Sequence, residues 1–119
     1  MGYGNDIFSR LAVPLDNNNG FDSIVSSTLK KAPYIALVDF DREKGVVVDL
    51  SIVSNTLRSL KRTSCLDIMN WLIGNGAEII VIPESDTEAL NIVEKVRVDF
   101  IVVEPGMSLR EIIETYLRK

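Results

Sequence analysis

The side chains of this chain that could bind a ligand are few and mainly cationic. Among 119 residues there are 13 Lys and Arg, one Cys and no His. The cations of interest fall in two short segments: Lys30 and Lys31 in the first, and Arg58, Lys61 and Arg62 in the second. Cationic side chains near a helix N-terminus form a suitable anion site. The pattern therefore predicts an anion site, with a solvated basic loop as the alternative.

Cys65 is the only cysteine, and therefore the only thiol ligand, in the sequence. It follows Ser64, a residue type that commonly begins helices as the N-cap. We expect the helix dipole to lower the thiol pKa and favour a thiolate, which could anchor a metal cluster at one iron. The alternative is a small buried apolar residue on the core side of the helix. One thiolate without histidine does not make a structural zinc site.

Polar residues also follow the first predicted strand. The run Asn17, Asn18, Asn19 and Gly20 tolerates positive φ angles, and its backbone amides, Asn19 and Gly20 included, could face a ligand. The alternative is a simple turn. Several carboxylates also end predicted strands: Asp16, Asp39, Asp41, Glu84 and Glu104. Asp16 and Glu84 end neighbouring strands, so a metal-dependent nuclease is a third, less favoured hypothesis.

Composition excludes several classes of function. Without histidine there is no obvious base to activate a nucleophile, and no phosphate-binding glycine fingerprint is present, so we do not expect an enzyme. A net charge of −4 makes nucleic acid an unexpected partner. No apolar run approaches the roughly 20 residues that span a bilayer, so no membrane association is expected. A single cysteine suits a cytoplasmic location.

The order of predicted elements defines the fold class. Strands are predicted at residues 10–16, 34–41, 45–53, 77–83 and 99–105, and helices at 65–75, 87–96 and 109–119. The last two strands are short β-branched runs that end in proline, and the helix between them predicts a parallel βαβ unit. Capping pairs are predicted at Ser85 with Glu88 and at Ser108 with Glu111. Residues 1–9 read as a flexible leader and 10–119 as a single domain.

A hairpin followed by right-handed crossovers gives a specific architecture. We predict a three-layer α/β fold with a five-stranded mixed sheet, strand order 3-2-1-4-5, the second strand antiparallel, and helices on both faces. This is the ribonuclease H-like arrangement. The fold alone does not specify a function.

The sequence resembles a known family over roughly residues 10–119. Members of the dinitrogenase iron–molybdenum cofactor biosynthesis family typically open with a strand of the type I-A-V-P-x-D, then a segment like S-x-H-F-G-R-A-P-Y-F and a strand that ends in Asp. Here R-L-A-V-P-L-D opens the domain, and Ser26, Ala32, Pro33, Tyr34 and Asp39 match the later positions. The run Thr28-Leu29-Lys30-Lys31 stands where the family has His-Phe-Gly-Arg.

The resemblance implies a non-enzymatic protein that holds iron–molybdenum cofactor or an iron–sulfur cluster. Its implied partners are metal-cluster assembly proteins, with the protein itself a monomer or weak dimer. The expected site residues are Asn19, Gly20, Thr28, Lys30, Lys31, Arg58, Lys61, Arg62 and Cys65. The alternative is a family member that binds no cluster and acts as a regulator or scaffold through protein contacts.

Overall fold

A computed structural model describes residues 8–60 and 63–117 and shows an α/β fold with one mixed sheet. The strands are β1 (Phe8–Leu15), β2 (Tyr34–Asp41), β3 (Val46–Ser54), β4 (Ile79–Pro83) and β5 (Asp99–Val103). The helices are α1 (Cys65–Gly74), α2 (Thr87–Val93) and α3 (Leu109–Ile112). Two 3-10 helices cover Gly20–Asp22 and Thr56–Ser59, and a π-helix covers Ile113–Leu117.

The order of strands in the sheet is β3-β2-β1-β4-β5, as predicted. β2 is antiparallel to β1 and β3, whereas β4 is parallel to β1 and β5. β1 begins two residues earlier than predicted, so Phe8 and Ser9 belong to the sheet. The remainder of the predicted leader, residues 1–7, lies outside the described residues.

Toward its carboxyl end β1 stays paired with β2 as far as Leu15 but leaves β4 earlier. Pairing between β1 and β4 is recorded at Leu11 and Ala12, and Pro14 two residues later has no N–H to donate. The Pro14 carbonyl instead accepts a hydrogen bond from the Ser26 N–H at 3.0 Å, and the Asp16 N–H donates to the Ile24 carbonyl at 2.8 Å. The chain after β1 therefore folds back onto the end of the same strand.

The sheet separates two hydrophobic cores, one on each face, so helices cover both faces as predicted. On the first face, α3 and the π-helix pack over Leu11, Val13, Val38 and Val81. On the second face, α1 and α2 pack over Ala12, Ile35, Ile80 and Ile82. Successive residues of β1 point to opposite faces, which is the period-two pattern of a strand buried on both sides.

An ion pair joins β1 to β2 beside the second core. Arg10 Nε lies 2.7 Å from Asp39 Oδ1, and its Nη2 lies 3.0 Å from Asp39 Oδ2. Arg10 Nη1 also donates to the carbonyl of Asn75, just after α1, at 2.7 Å. One guanidinium therefore holds two strands and the end of a helix together, in the bidentate geometry that suits arginine.

Two of the three predicted helix N-caps are confirmed, and one is wrong, although α2 begins at Thr87 as predicted. Ser64 with Asp67 and Ser108 with Glu111 form reciprocal capping boxes before α1 and α3. At α2, however, Asp86 is the N-cap and accepts from the Ala89 N–H at 3.1 Å. The predicted pair of Ser85 with Glu88 does not form this cap, and the Ser85 hydroxyl instead donates to the Ser27 carbonyl at 2.8 Å.

The helix ends also differ from the prediction. α1 ends one residue early, at Gly74, and α2 ends at Val93, where the chain turns toward β5. The final helix is α-helical only to Ile112 and then widens into the π-helix, in which Tyr116 Oη donates to the Val102 carbonyl at 3.4 Å. None of the helices in the described part of the chain has the length and apolarity needed to cross a membrane.

Candidate functional site

Two loops meet at the end of the sheet where β1, β3 and β4 finish. The first loop, residues 26–33, leads into β2, and the second, residues 55–60, follows β3. In α/β sheets, ligands generally bind beyond the carboxyl ends of the parallel strands, where connections diverge to opposite sides. β1 and β4 are neighbours, but the chain continues from β1 to β2 on one side of the sheet and from β4 to β5 on the other. The connections therefore diverge at this end.

Asn55, the first residue of the second loop, is hydrogen-bonded to the first loop. This residue is only 2% exposed, and its backbone N–H donates to the Pro33 carbonyl at 2.9 Å. Its Nδ2 donates to the Ala32 carbonyl at 2.9 Å and lies 3.5 Å from the Lys30 carbonyl. Among the described residues nothing donates to its buried Oδ1, so the contacts of Nδ2 set the orientation of the amide.

Asp86 anchors the first loop to the junction between β4 and α2. Its side chain is buried, with the residue 5% exposed, and Oδ2 accepts a hydrogen bond from the Leu29 N–H at 2.7 Å. Oδ1 accepts a hydrogen bond from the Ala89 N–H and thereby caps α2. A carboxylate is stable when buried only if its oxygens are paired, and each oxygen here has a backbone donor. The carboxylate therefore fixes the position of the chain next to Lys30 and Lys31.

The cations predicted from sequence are partly brought together. Lys31, Arg58 and Ser59 line a shallow depression of about 400 Å³ between the two loops. Lys31 and Arg58 are exposed, whereas Lys30 is half-buried. Lys61 and Arg62, also predicted as site residues, lie outside the described residues.

Of the two interpretations of Cys65, the small buried core residue agrees with the structure and the reactive thiolate does not. The residue is fully buried in the core between α1, α2 and the sheet. Burial raises the pKa of the thiol to about 12, and the charges of Asp86 and Glu88 and a hydrogen bond with Glu88 add to this effect. Lys30 acts in the opposite direction but does not compensate. These neighbours outweigh the helix dipole, so Cys65 is a neutral thiol at neutral pH.

The remaining predicted site residues have local roles in turns. The Asn19 N–H donates to Ser23 Oγ at 2.7 Å, and Gly20 adopts a φ of 59°, a conformation that favours glycine. Thr28 Oγ1 accepts from the Lys31 N–H at 3.3 Å. These contacts shape the loops on either side of Ser26 and leave the Asn19 amide already engaged.

The carboxylates at the strand ends do not form a metal site in the described part of the chain. Asp16 and Glu84 follow the neighbouring strands β1 and β4, and both are exposed. Within residues 8–60 and 63–117, no three His, Cys, Asp or Glu side chains are grouped so that they could hold a metal ion. A two-metal nuclease needs such a group, so the described residues give that hypothesis no support.

Sequence reasoning missed the two polar residues that build the site. Asp86 stands directly before Thr87, the first residue of α2, where an aspartate is a favourable N-cap, and that position was the available signal. Asn55 directly follows β3, but nothing in its sequence position indicates that its side chain bonds to a loop more than 20 residues earlier. Only the tertiary structure gives that contact.

The topology and the loops define the class: a small α/β domain of ribonuclease H-like topology with a cationic depression beyond its strand ends. The chain belongs to the dinitrogenase iron-molybdenum cofactor family, whose model matches residues 9–119. The family resemblance inferred from the sequence is thereby confirmed. No curated protein matches the chain.

Solved structures share this fold at low sequence identity. The crystal structure of PH0822 is 18% identical with a TM-score of 0.72 and covers 91% of this chain and 88% of its own. The NMR structure of a NifB-like protein from Thermotoga is 22% identical with a TM-score of 0.63, covering 91% and 86%. The apo form of the orange protein from Desulfovibrio gigas is 17% identical with a TM-score of 0.70, covering 92% and 87%. At these identities the likeness shows the fold alone.

Removal of the Asp86 carboxylate tests its role as the anchor of the first loop. Asp86→Ala leaves the N–H groups of Leu29 and Ala89 without their acceptor, so we expect the free energy of unfolding to fall by about 2–4 kcal/mol. Ser85→Ala removes one exposed hydrogen bond and should cost about 0.5–1 kcal/mol. Urea unfolding of both variants measures the difference, and equal losses would contradict the assigned role.

The buried thiol predicts a specific dependence of stability on pH. The folded pKa of Cys65 is about 12 against an ordinary value of 9.0, so only the unfolded state ionises between these values. The stability associated with the neutral thiol is complete below pH 9 and is lost as the pH rises toward 12. Between these limits wild type should lose more stability than Cys65→Ala in urea unfolding. Parallel pH profiles would show that the thiol ionises equally in both states.

Proposed function

We propose that this protein is a non-enzymatic binding protein that holds an anionic metal-containing cargo between its two cationic loops. The cargo class is iron–molybdenum cofactor or an iron–sulfur cluster. The observation that carries the proposal is the depression beyond the strand ends, which is lined by Lys31 from one loop and Arg58 from the other. Two such cations from separate segments attract a compact anion more strongly than either alone.

Both cations are available to an incoming anion. The ion pairs among the described residues are Arg10 with Asp39 and Arg110 with Asp22, and neither includes Lys31 or Arg58. Since exposed charges are screened by salt, binding through these two residues should weaken as ionic strength increases.

The donor set favours charge over direct ligation of iron. Cys65 lies in the core as a neutral thiol, and the sequence has no histidine. A cluster bound here would therefore be held through its outer anionic atoms, by Lys31 and Arg58. The half-buried Lys30 adds positive charge beside the depression, next to Lys31 in the chain.

The family assignment supports this class of cargo. The family model is described by the dinitrogenase iron-molybdenum cofactor, and it matches nearly the whole domain. Metal-cluster assembly proteins are the corresponding partners, because a carrier must receive and deliver its cargo. The absence of histidine also agrees with a carrier rather than a catalyst.

A second candidate function follows from the same cysteine. A buried neutral thiol gives a cluster no protein ligand, so the domain could act as a regulator or scaffold through protein contacts alone. The two functions make opposite predictions for the isolated protein. A carrier retains metal after reconstitution, and a scaffold does not.

Anaerobic reconstitution tests the proposal. The protein is treated with iron and sulfide, then separately with isolated iron–molybdenum cofactor, desalted, and assayed for metal and visible absorption. With isolated cofactor, which brings its own ligands, we expect near-stoichiometric metal in wild type and a loss of at least about tenfold in Lys31→Ala/Arg58→Ala, equivalent to about 1.4 kcal/mol of binding. Iron and sulfide alone should leave no cluster, because lysine and arginine do not ligate iron and Cys65 is buried. Cys65→Ala should retain its metal, because the thiol is not a ligand.

The matched control is Arg42→Ala/Lys44→Ala, which removes the same two charges from exposed positions in the turn between β2 and β3 at the opposite end of the sheet. Equal losses in the two double variants would mean that net charge, not the depression, determines binding. No metal retained by wild type after treatment with isolated cofactor would refute the carrier and leave the scaffold. Adding Lys61→Ala and Arg62→Ala tests the sequence-based prediction for those residues.

A further inference from the structure

Asparagine followed directly by glycine occurs twice in this chain, at Asn19-Gly20 and at Asn75-Gly76. In such a pair the backbone nitrogen of the glycine can attack Cγ of the asparagine side chain, because glycine has no Cβ to obstruct the approach. Both asparagines are exposed, so water reaches both. A difference in their reactivity therefore depends on the contacts that hold each pair.

The groups of Asn75-Gly76 that would react are all hydrogen-bonded at the end of α1. The attacking nitrogen, the Gly76 N–H, donates to the Ile73 carbonyl at 2.9 Å. The amide that would leave, Asn75 Nδ2, donates to the Trp71 carbonyl at 2.8 Å. Arg10 Nη1 donates to the Asn75 carbonyl at 2.7 Å, and a hydrogen bond from a charged guanidinium is stronger than one between neutral groups.

The corresponding groups of Asn19-Gly20 lack these contacts. Neither the Gly20 N–H nor the Asn19 side-chain amide makes a hydrogen bond to another residue in the described part of the chain. The pair is held through its other atoms: the Asn19 N–H donates to Ser23 Oγ at 2.7 Å, and the Asn19 carbonyl accepts from the Asp22 N–H at 3.1 Å. A Cβ placed on Gly20 would meet no atom within 4 Å, so the space beside it is open.

Both pairs must rotate about the bond between Cα and the carbonyl carbon of asparagine before they react. The angle ψ is 39° at Asn19 and 15° at Asn75, and at these values the glycine nitrogen lies away from the asparagine side chain. Rotation at Asn75 breaks the bond from Arg10 and the bond from the Gly76 N–H. Rotation at Asn19 breaks the bond from the Asp22 N–H, which is longer and neutral. The barrier is therefore lower at Asn19.

We propose that Asn19 is a site of spontaneous deamidation in the folded protein and that Asn75 is protected from the same reaction. The Gly20 nitrogen loses its proton and bonds to Asn19 Cγ, the bond from Cγ to Nδ2 breaks, and Nδ2 leaves as ammonia. Water then opens the cyclic imide at either carbonyl, which gives aspartate or isoaspartate. Water is the co-reactant, and the reaction involves no oxidation or reduction.

The reaction alters a turn that supports α3. Either product adds a negative charge to the connection between β1 and β2, and isoaspartate also lengthens the backbone of the turn. The residues after Asn19 contact the start of α3: the Ser23 carbonyl accepts from the Leu109 N–H at 2.8 Å, and Ile24 pairs with Ser108. Deamidation at Asn19 therefore changes both the charge and the geometry of this connection.

Ageing the full chain at mildly alkaline pH under native conditions tests the proposal, since alkali removes the glycine amide proton. Brief digestion with trypsin separates the two sites, because residues 11–30 contain Asn19 and residues 63–95 contain Asn75. Mass spectrometry with fragmentation then assigns each deamidation to a residue. We expect Asn19 to convert at least about tenfold faster than Asn75. Equal rates, faster conversion of Asn75, or no conversion at either site would overturn the proposal.

Two controls separate the effect of the fold from that of the local sequence. In guanidinium chloride the contacts are lost, so the two rates should become similar. A difference that persists there would overturn the proposal, because neighbouring sequence would then account for it. Asn19→Gln should abolish the fast conversion in residues 11–30, since the longer side chain closes a larger ring. Fast conversion that remains in this variant would assign the reaction to Asn17 or Asn18 and would also overturn the proposal.

Discussion

The burial of β1 on both faces and along both edges is the constraint on which the rest of the structure depends. Leu11, Ala12, Val13 and Leu15 are all fully buried, and they contribute alternately to the two cores. β1 has an antiparallel neighbour on one side and a parallel neighbour on the other. Its carboxyl end is therefore the point at which the two halves of the sheet diverge, and the loops of the candidate site collect there.

Two buried polar side chains fix the position of the loop that follows β1. Asp86 holds the N–H of Leu29, and Asn55 holds the carbonyl of Ala32, so the segment that carries Lys30 and Lys31 is fixed from both sides. The same Asp86 carboxylate contributes to the high pKa of Cys65. The same arrangement therefore leaves cations exposed at the surface and keeps the thiol neutral beneath them. For this reason the binding proposed above relies on charge, since the interior beneath the loops disfavours a thiolate.

The sequence was sufficient for the features that depend on local pattern. The apolar runs of β4 and β5, the hairpin of β2 and β3 and the caps at Ser64 and Ser108 follow from side-chain period and capping chemistry, and with them the strand order. It was insufficient where the outcome depends on distant neighbours. Asp86 and not Ser85 caps α2, whereas the Ser85 hydroxyl donates to the Ser27 carbonyl, 58 residues earlier in the chain.

The pKa of Cys65 also depends on distant neighbours that the local sequence does not reveal. Its position at the start of α1 predicts a lowered pKa, but burial and the carboxylates of Asp86 and Glu88 raise it. These residues are more than 20 positions away in the chain, so the local sequence carries no signal of their effect. The ion pair between Arg10 and Asp39 is likewise a product of strand register, which brings the two residues directly opposite each other.

The most direct test of the central claim is to map the bound cargo on the protein by NMR. Isolated iron–molybdenum cofactor is paramagnetic and broadens the signals of nearby amides, so stepwise addition under anaerobic conditions locates it without any substitution. The account predicts that the amides of Leu29, Lys31, Arg58 and Ser59 broaden first, while those of Arg42 and Lys44 at the opposite end remain sharp. Broadening centred elsewhere, or no selective broadening at any concentration, would contradict a cargo site between the two loops.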